Sequence, residues 1–186
     1  MPHILLLSGS PSTTSRSAAV LEHARRRFVA ENLEARIVGI RDFPAEDLIL
    51  AKYDSPAFNE VKQLVEKASA LVVCTPVYKA AYSGGLKALL DILPQTALRG
   101  KIVLPIASGG SPAHQLAIDY ALKPVLSALG ASDIHQGVYI VDKQLTVGTD
   151  GSLTFTDDLG DRLNAAITHL ATQVKARLPV STQTQA

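Results

Sequence analysis

The sequence predicts one α/β domain, a three-layer sandwich around a five-stranded parallel sheet. Three observations predict it. Short apolar runs alternate with longer helix-period segments along the 186 residues. The first, third and fourth runs are almost wholly apolar, as strands covered on both faces should be. Turns rich in serine, proline or glycine follow those same runs, at the expected carboxyl ends of the strands.

The strand candidates are 4–7, 35–40, 70–75, 102–107 and 138–141, each too short for a typical helix. Five helical segments lie between and after them. Residues 17–30 carry the stripe Val20, Leu21, Ala24 and Phe28. Residues 56–67 align Phe58, Val61, Leu64 and Val65. Residues 84–93 present Leu86, Leu89, Leu90 and Leu93, and residues 112–129 present Leu116, Ile118, Leu122, Val125, Leu126 and Leu129. Residues 158–174 space Leu159, Leu163, Ile167 and Leu170 at four, four and three. The resulting βαβαβαβαβα order favours the flavodoxin-like strand order 2-1-3-4-5. In such a sheet a ligand lies beyond the carboxyl ends of the strands, where the strand order reverses. The loops after strands one, three and four are therefore the place to look for chemistry.

Composition narrows the partners. Apolar residues make up 47% and the formal net charge is +1, with neither a basic excess nor a basic stripe. Nucleic acid is not an expected partner. The lone cysteine, Cys74, lies in an apolar run and reads as a buried structural thiol, compatible with a reducing compartment. The apolar run near Met1 is too short and lacks a basic flank for a signal peptide, and no stretch is long enough for a membrane span. Cytoplasm is the expected location. No cluster of histidine, cysteine and carboxylate has metal-ligand spacing, so no metal is expected. Residues 1–176 are expected to form the domain and 177–186 a flexible tail. The connection 41–55 either packs on a neighbouring subunit or covers its own sheet edge.

Seven of the ten residues from Ser8 to Ser17 carry hydroxyls, with Gly9 permitting close backbone approach and Arg16 adding a charge. At a helix start, free N–H groups and the positive end of the helix dipole suit a phosphate. A loop that merely caps its helix is the other reading. No G-x-G-x-x-G follows strand one and no G-x-x-x-x-G-K-[ST] is present, so one terminal phosphate suits the loop better than a dinucleotide or a P-loop substrate.

After strand three, Pro76 holds Thr75 extended and is expected to end the strand sharply. Backbone groups of Val77 and Tyr78 then face the polar edge of a flat ligand, with Tyr78 or Tyr82 stacking or filling the pocket, and Ser83 capping the next helix. The alternative is a proline and two tyrosines that simply finish a strand. After strand four, Gly109 and Gly110 let the chain pass close to a planar group, with Ser111 as cap and Pro112 in the first helical turn. His114 is either catalytic or an ordinary histidine near a helix start.

Together these segments resemble the NAD(P)H-dependent FMN reductase family. The residues that carry the likeness are Ser8–Pro11 with Ser15–Ser17, Thr75–Tyr78 with Gly84–Lys87, Ser108–Gly110, and Asp91 where the family's second motif ends. Pro76–Gly84 and Asp119–Leu129 are similar to one branch, the reductases of two-component alkanesulfonate and methanesulfonate monooxygenase systems. The resemblance spans nearly the whole chain and weakens after about Val147. It implies that Ser8, Ser10, Ser15, Arg16 and Ser17 hold the FMN phosphate. It implies that Pro76, Val77, Tyr78, Lys79, Ser108, Gly109 and Gly110 frame the ring. It further implies NADH or NADPH as reductant, flavin bound and released as a substrate, a flavin-dependent monooxygenase as partner, and a homodimer or homotetramer. Hydride transfer between stacked rings needs no protein base, so no catalytic side chain is expected. The rival expectations are an FMN-retaining quinone, azo or metal-ion reductase, and a flavodoxin-type electron carrier.

Pro124 falls well inside the segment 112–129 and has no N–H for the carbonyl of Tyr120. The helix must open there, by a kink or by a wide π-type turn. The resembling branch has a widened turn at this tyrosine, at a subunit interface near the flavin. Tyr120 is accordingly expected to contribute to assembly and to loose flavin retention, with an ordinary proline kink as the alternative.

Overall fold

A computed structural model describes residues 3–177. The sheet is α/β and flavodoxin-like, and its parallel core follows from the expected runs: β1 (His3–Ser8), β2 (Glu34–Gly39), β3 (Ala70–Tyr78) and β5 (Ile102–Gly109), in the order β2-β1-β3-β5. The sheet has seven strands rather than five. The fifth position is shared by β6 (Asp133–Ile134) and β7 (Val138–Val141), both parallel to β5. Between these segments β5 advances three residues, from Val103 to Ile106, while the edge advances four, from Ile134 to Val138. The extra residue makes a bulge, and Gly137 supplies the left-handed backbone it needs, with φ +90°.

β4 (Ala81–Tyr82) is the other addition. Pro76 does not end its strand: β3 continues to Tyr78 and turns back antiparallel onto β4. Pro76 pairs in register with Ser108 at the far end of the ladder, where a missing N–H is tolerated. Lys79 and Ala80 form the two-residue turn, and both have positive φ, 50° and 64°. Such a turn favours glycine or asparagine. Ala80→Gly is expected to raise stability by about 1 kcal/mol, as a rise in the denaturation midpoint without a change in slope.

Alternation along the strands builds two cores. Ile4, Leu6, Val72 and Leu104 face α1 (Arg16–Ala30) and α6 (Leu159–Ala176). Leu5, Leu7, Leu71 and Val103 face α2 (Ala45–Ile49), α3 (Asn59–Lys67), α4 (Gly84–Asp91) and α5 (Lys123–Ala128). The connection 41–55 covers its own domain: α2 buries Leu48 in this second core, while Ile49, Leu50 and Tyr53 stay exposed. A short hairpin, β8 (Leu145–Val147) with β9 (Leu153–Phe155), precedes α6 and has no counterpart in the sequence expectation. Arg177 donates to Gly100 O and pairs with Asp133. The remaining tail, 178–186, lies outside the described residues.

Cys74 is fully buried in β3, and burial pushes its thiol up to about 12, against a smaller opposing pull from the Ser17 hydroxyl. At pH 8 the thiolate is therefore negligible. We expect no alkylation of native protein by iodoacetamide at pH 8, and full alkylation once it is unfolded in guanidinium, read by intact mass.

The expected helix 112–129 is three pieces. A 3₁₀ turn spans Pro112–His114, a π-helical turn spans Ile118–Leu122, and α5 follows directly. The Lys123 N–H reaches back five residues to Ile118 O. That widening shifts the register so that Pro124 falls in the first turn of α5, where it interrupts no bond. Tyr120 lies on the widened turn and is 79% exposed.

Candidate functional site

β1, β3, β5 and β7 end on one rim of the sheet, and the loops that follow them enclose a cleft of about 260 Å³. Ser10, Ser12, Thr14, Ser15, Arg16 and Ser17 line it from the first loop. Pro76, Val77 and Tyr78 line it from the end of β3, and Ser108, Gly109 and Gly110 from the end of β5. The structure thus brings together ten of the twelve residues singled out in the sequence.

Two are elsewhere. Ser8 is the buried last residue of β1, in register with Gly39 and Cys74. Lys79 projects from the tip of the β3–β4 turn and is exposed. Of the two tyrosines, Tyr78 lines the cleft, whereas Tyr82 packs against the second core, and burial raises its phenol above the ordinary range. His114 is exposed on its 3₁₀ turn and does not line the cleft. Ser12, Thr14 and Asp142 belong to the lining but were not carried over from the sequence motifs. Asp142 follows the short β7, and only the rule that strand ends share a rim points to it.

The first loop is built to donate. Ser15 caps α1 by accepting from Ala18 N at 3.3 Å, and Ser10 accepts from Ser12 N at 3.2 Å. Both bonds use oxygen lone pairs, so each hydroxyl keeps its proton to offer. The N–H groups of Arg16 and Ser17 have no backbone acceptor among the described residues. They open the positive end of a 15-residue helix. Arg16 also reaches across to Asp142, Nη1 to Oδ2, at 3.7 Å. Capping and anion binding are therefore compatible uses of one loop.

Buried polar contacts hold the three loops in register. Gly9 N donates to Cys74 O at 2.8 Å, tying the first loop to β3. Ser83 N donates to the Thr75 hydroxyl at 3.1 Å, while the Ser83 hydroxyl donates to Gly9 O and accepts from Leu86 N at the start of α4. On the other side, the Tyr139 hydroxyl donates to Ser111 O at 2.8 Å and pins the turn after β5. A Cβ on Gly109 would stand 2.5 Å from that hydroxyl oxygen, so a side chain there is admitted only if the phenol or the turn gives way. The site is a cleft with hydroxyls and a helix N-terminus from the first loop, and the Pro76–Tyr78 and Ser108–Gly110 segments beside them. A phosphate attached to a flat ring system fits that division.

A family model described as NADPH-dependent FMN reductase matches residues 2–146. The chain is 48% identical over 164 residues to an "FMN reductase (NADPH)" of Escherichia coli K12, covering 88% of this chain and 85% of that protein. It is 54% identical over 142 residues to an "FMN reductase (NADPH)" of Pseudomonas putida, covering 76% and 72%. Among solved structures, the apo form of the NADH:FMN oxidoreductase EMOB superposes with a TM-score of 0.83 at 38% identity, covering 93% of this chain and 90% of that one. With a matching family model over most of its length and these relatives, the chain belongs to the NADPH-dependent FMN reductase family and is an NAD(P)H:FMN oxidoreductase.

Proposed function

We propose that FMN binds in this cleft with its phosphate at the Ser10–Ser17 turn and its ring between the Pro76–Tyr78 and Ser108–Gly110 segments. In this proposal the reduced flavin leaves for a separate flavin-dependent sulfonate monooxygenase in the cytoplasm. The convergence of three loops on one cleft supports the binding mode. The partner rests on the likeness of Pro76–Gly84 and Asp119–Leu129 to reductases of sulfonate monooxygenase systems.

The flavin and the nicotinamide nucleotide supply the hydride chemistry, and the chain holds and orients them. Donors of the first loop neutralise the phosphate. The glycine turn after β5 lets a flat ring lie close to backbone, and Tyr78 stands at the open side. Backbone N–H groups of the second and third loops offer dipoles to negative charge arriving on the ring. Both coenzymes occur in the names of similar proteins, NADPH in the curated reductases and NADH in EMOB, so either is a candidate reductant.

The deciding assay mixes protein, excess FMN and each nucleotide under anaerobic conditions. Nucleotide oxidation with flavin bleaching is expected, and a purified sulfonate oxygenase added with oxygen should then release sulfite. On gel filtration FMN should separate from the protein. Co-elution at equal stoichiometry would instead favour a flavin-retaining reductase; a relative 28% identical over 160 residues is named an FMN-dependent NADPH-azoreductase.

Tyr120 and Leu116 are exposed apolar side chains on the irregular 112–122 stretch. We propose this face as a self-association surface giving a dimer or tetramer. Tyr120→Ala should lower the mass seen by light scattering and change the fraction of FMN retained; no change in either would remove the proposal.

A further inference from the structure

The cleft proposed for the phosphate carries an acid. Arg16 is the cation of its lining and Asp142 the anion, so their formal charges cancel. The two are paired at 3.7 Å, Arg16 from the first turn of α1 and Asp142 from the end of β7. Among the described residues no other charged side chain lines the cleft. Arg162 is bound to the Asp158 carboxylate and to Tyr139 O, and Lys79 and Lys143 are exposed outside the lining. Asp142 also acts within its own strand end: after burial, the larger cause, it raises the phenol of Tyr139, whose hydroxyl pins the glycine turn. A carboxylate beside the cation of a phosphate site lowers that site's net attraction for a phosphate.

We propose that Asp142 competes with the flavin phosphate for Arg16 and thereby sets a weak, releasable grip on FMN. The inference rests on the binding mode proposed above. When the phosphate enters, Arg16 turns from the carboxylate to the phosphate oxygens and Asp142 is left facing a like charge. When the flavin leaves, the ion pair re-forms. Discrimination between phosphorylated and unphosphorylated flavin is thus deliberately shallow, because the same carboxylate that neutralises Arg16 also repels the group Arg16 recognises.

The test is fluorescence titration of the full chain with FMN and with riboflavin, which lacks the phosphate. Asp142→Asn is expected to tighten FMN about five- to tenfold at low salt and less at high salt, as a screened partly exposed charge should. Riboflavin affinity should stay put. In an Arg16→Gln background the gain should shrink to what direct repulsion between Asp142 and the phosphate leaves, since the coupled partner is gone. If Asp142→Asn leaves FMN unchanged or weaker while Arg16→Gln still weakens FMN and spares riboflavin, the competition is wrong and the binding mode stands. The competition is equally wrong if riboflavin tightens as much as FMN, or if the full gain survives without Arg16. If neither variant moves FMN, the phosphate binds elsewhere and both proposals fall.

Discussion

Gly109→Ala should raise the KM for FMN by about tenfold or more, equivalent to at least about 1.4 kcal/mol of binding. The added Cβ would lie 2.5 Å from the Tyr139 hydroxyl oxygen and 3.4 Å from Val77 Cβ. The phenol can step aside only by giving up its bond to Ser111 O. Either that bond breaks and frees Ser111, or the turn itself shifts, and the Gly109–Gly110 wall of the cleft is disturbed in both cases. A rescue separates this steric account from a vague loop effect. Tyr139→Phe alone gives up one hydrogen bond, at about 1 kcal/mol. Combined with Gly109→Ala it removes the clashing oxygen, so the double variant should bind FMN better than Gly109→Ala alone. Wild-type KM and melting temperature in Gly109→Ala would contradict the geometry outright.

Ser83→Ala should lower stability by about 2–3 kcal/mol, the sum of a lost helix cap and a lost buried acceptor interaction. In a domain of this size that is a fall in Tm of about 5–10 °C. The hydroxyl serves Leu86 N and Gly9 O at once, and the residue is buried, so water does not replace it freely. Flavin binding should weaken too, because Gly9 belongs to the loop that carries Ser10 and Arg16. Thr13→Ala, in the same loop but exposed and outside the lining, should change stability by less than about 0.5 kcal/mol. Equal melting curves for Ser83→Ala and Thr13→Ala would show that the joint between the loops carries no weight.

Gly109 and Ser83 differ in how far they can be read without a fold. Ser83 precedes a helix-period segment, so its capping role is legible locally, and Leu86 N confirms it. Its bond to Gly9 joins residues 74 apart in sequence and no local pattern announces it. Gly109 reads as a place where backbone passes something closely. That the close neighbour is Tyr139, from a strand thirty residues on, depends on β7 lying beside β5.

Periodicity and turn chemistry by themselves determined the α/β alternation, the buried inner strands, the three rim loops and the need for a break near Tyr120. These follow from period, apolarity and the missing N–H of Pro124, all of which act within a few residues. The tertiary structure alone decided the rest. It carried β3 through Pro76 into a hairpin, divided the edge strand at a bulge around Gly137, tucked Ser8 into the sheet, and turned Lys79 outward. It also set Asp142 against Arg16. Each of those outcomes turns on which distant backbone a segment pairs with, and pairing partners are chosen by the packing of the whole sheet rather than by the residues nearby.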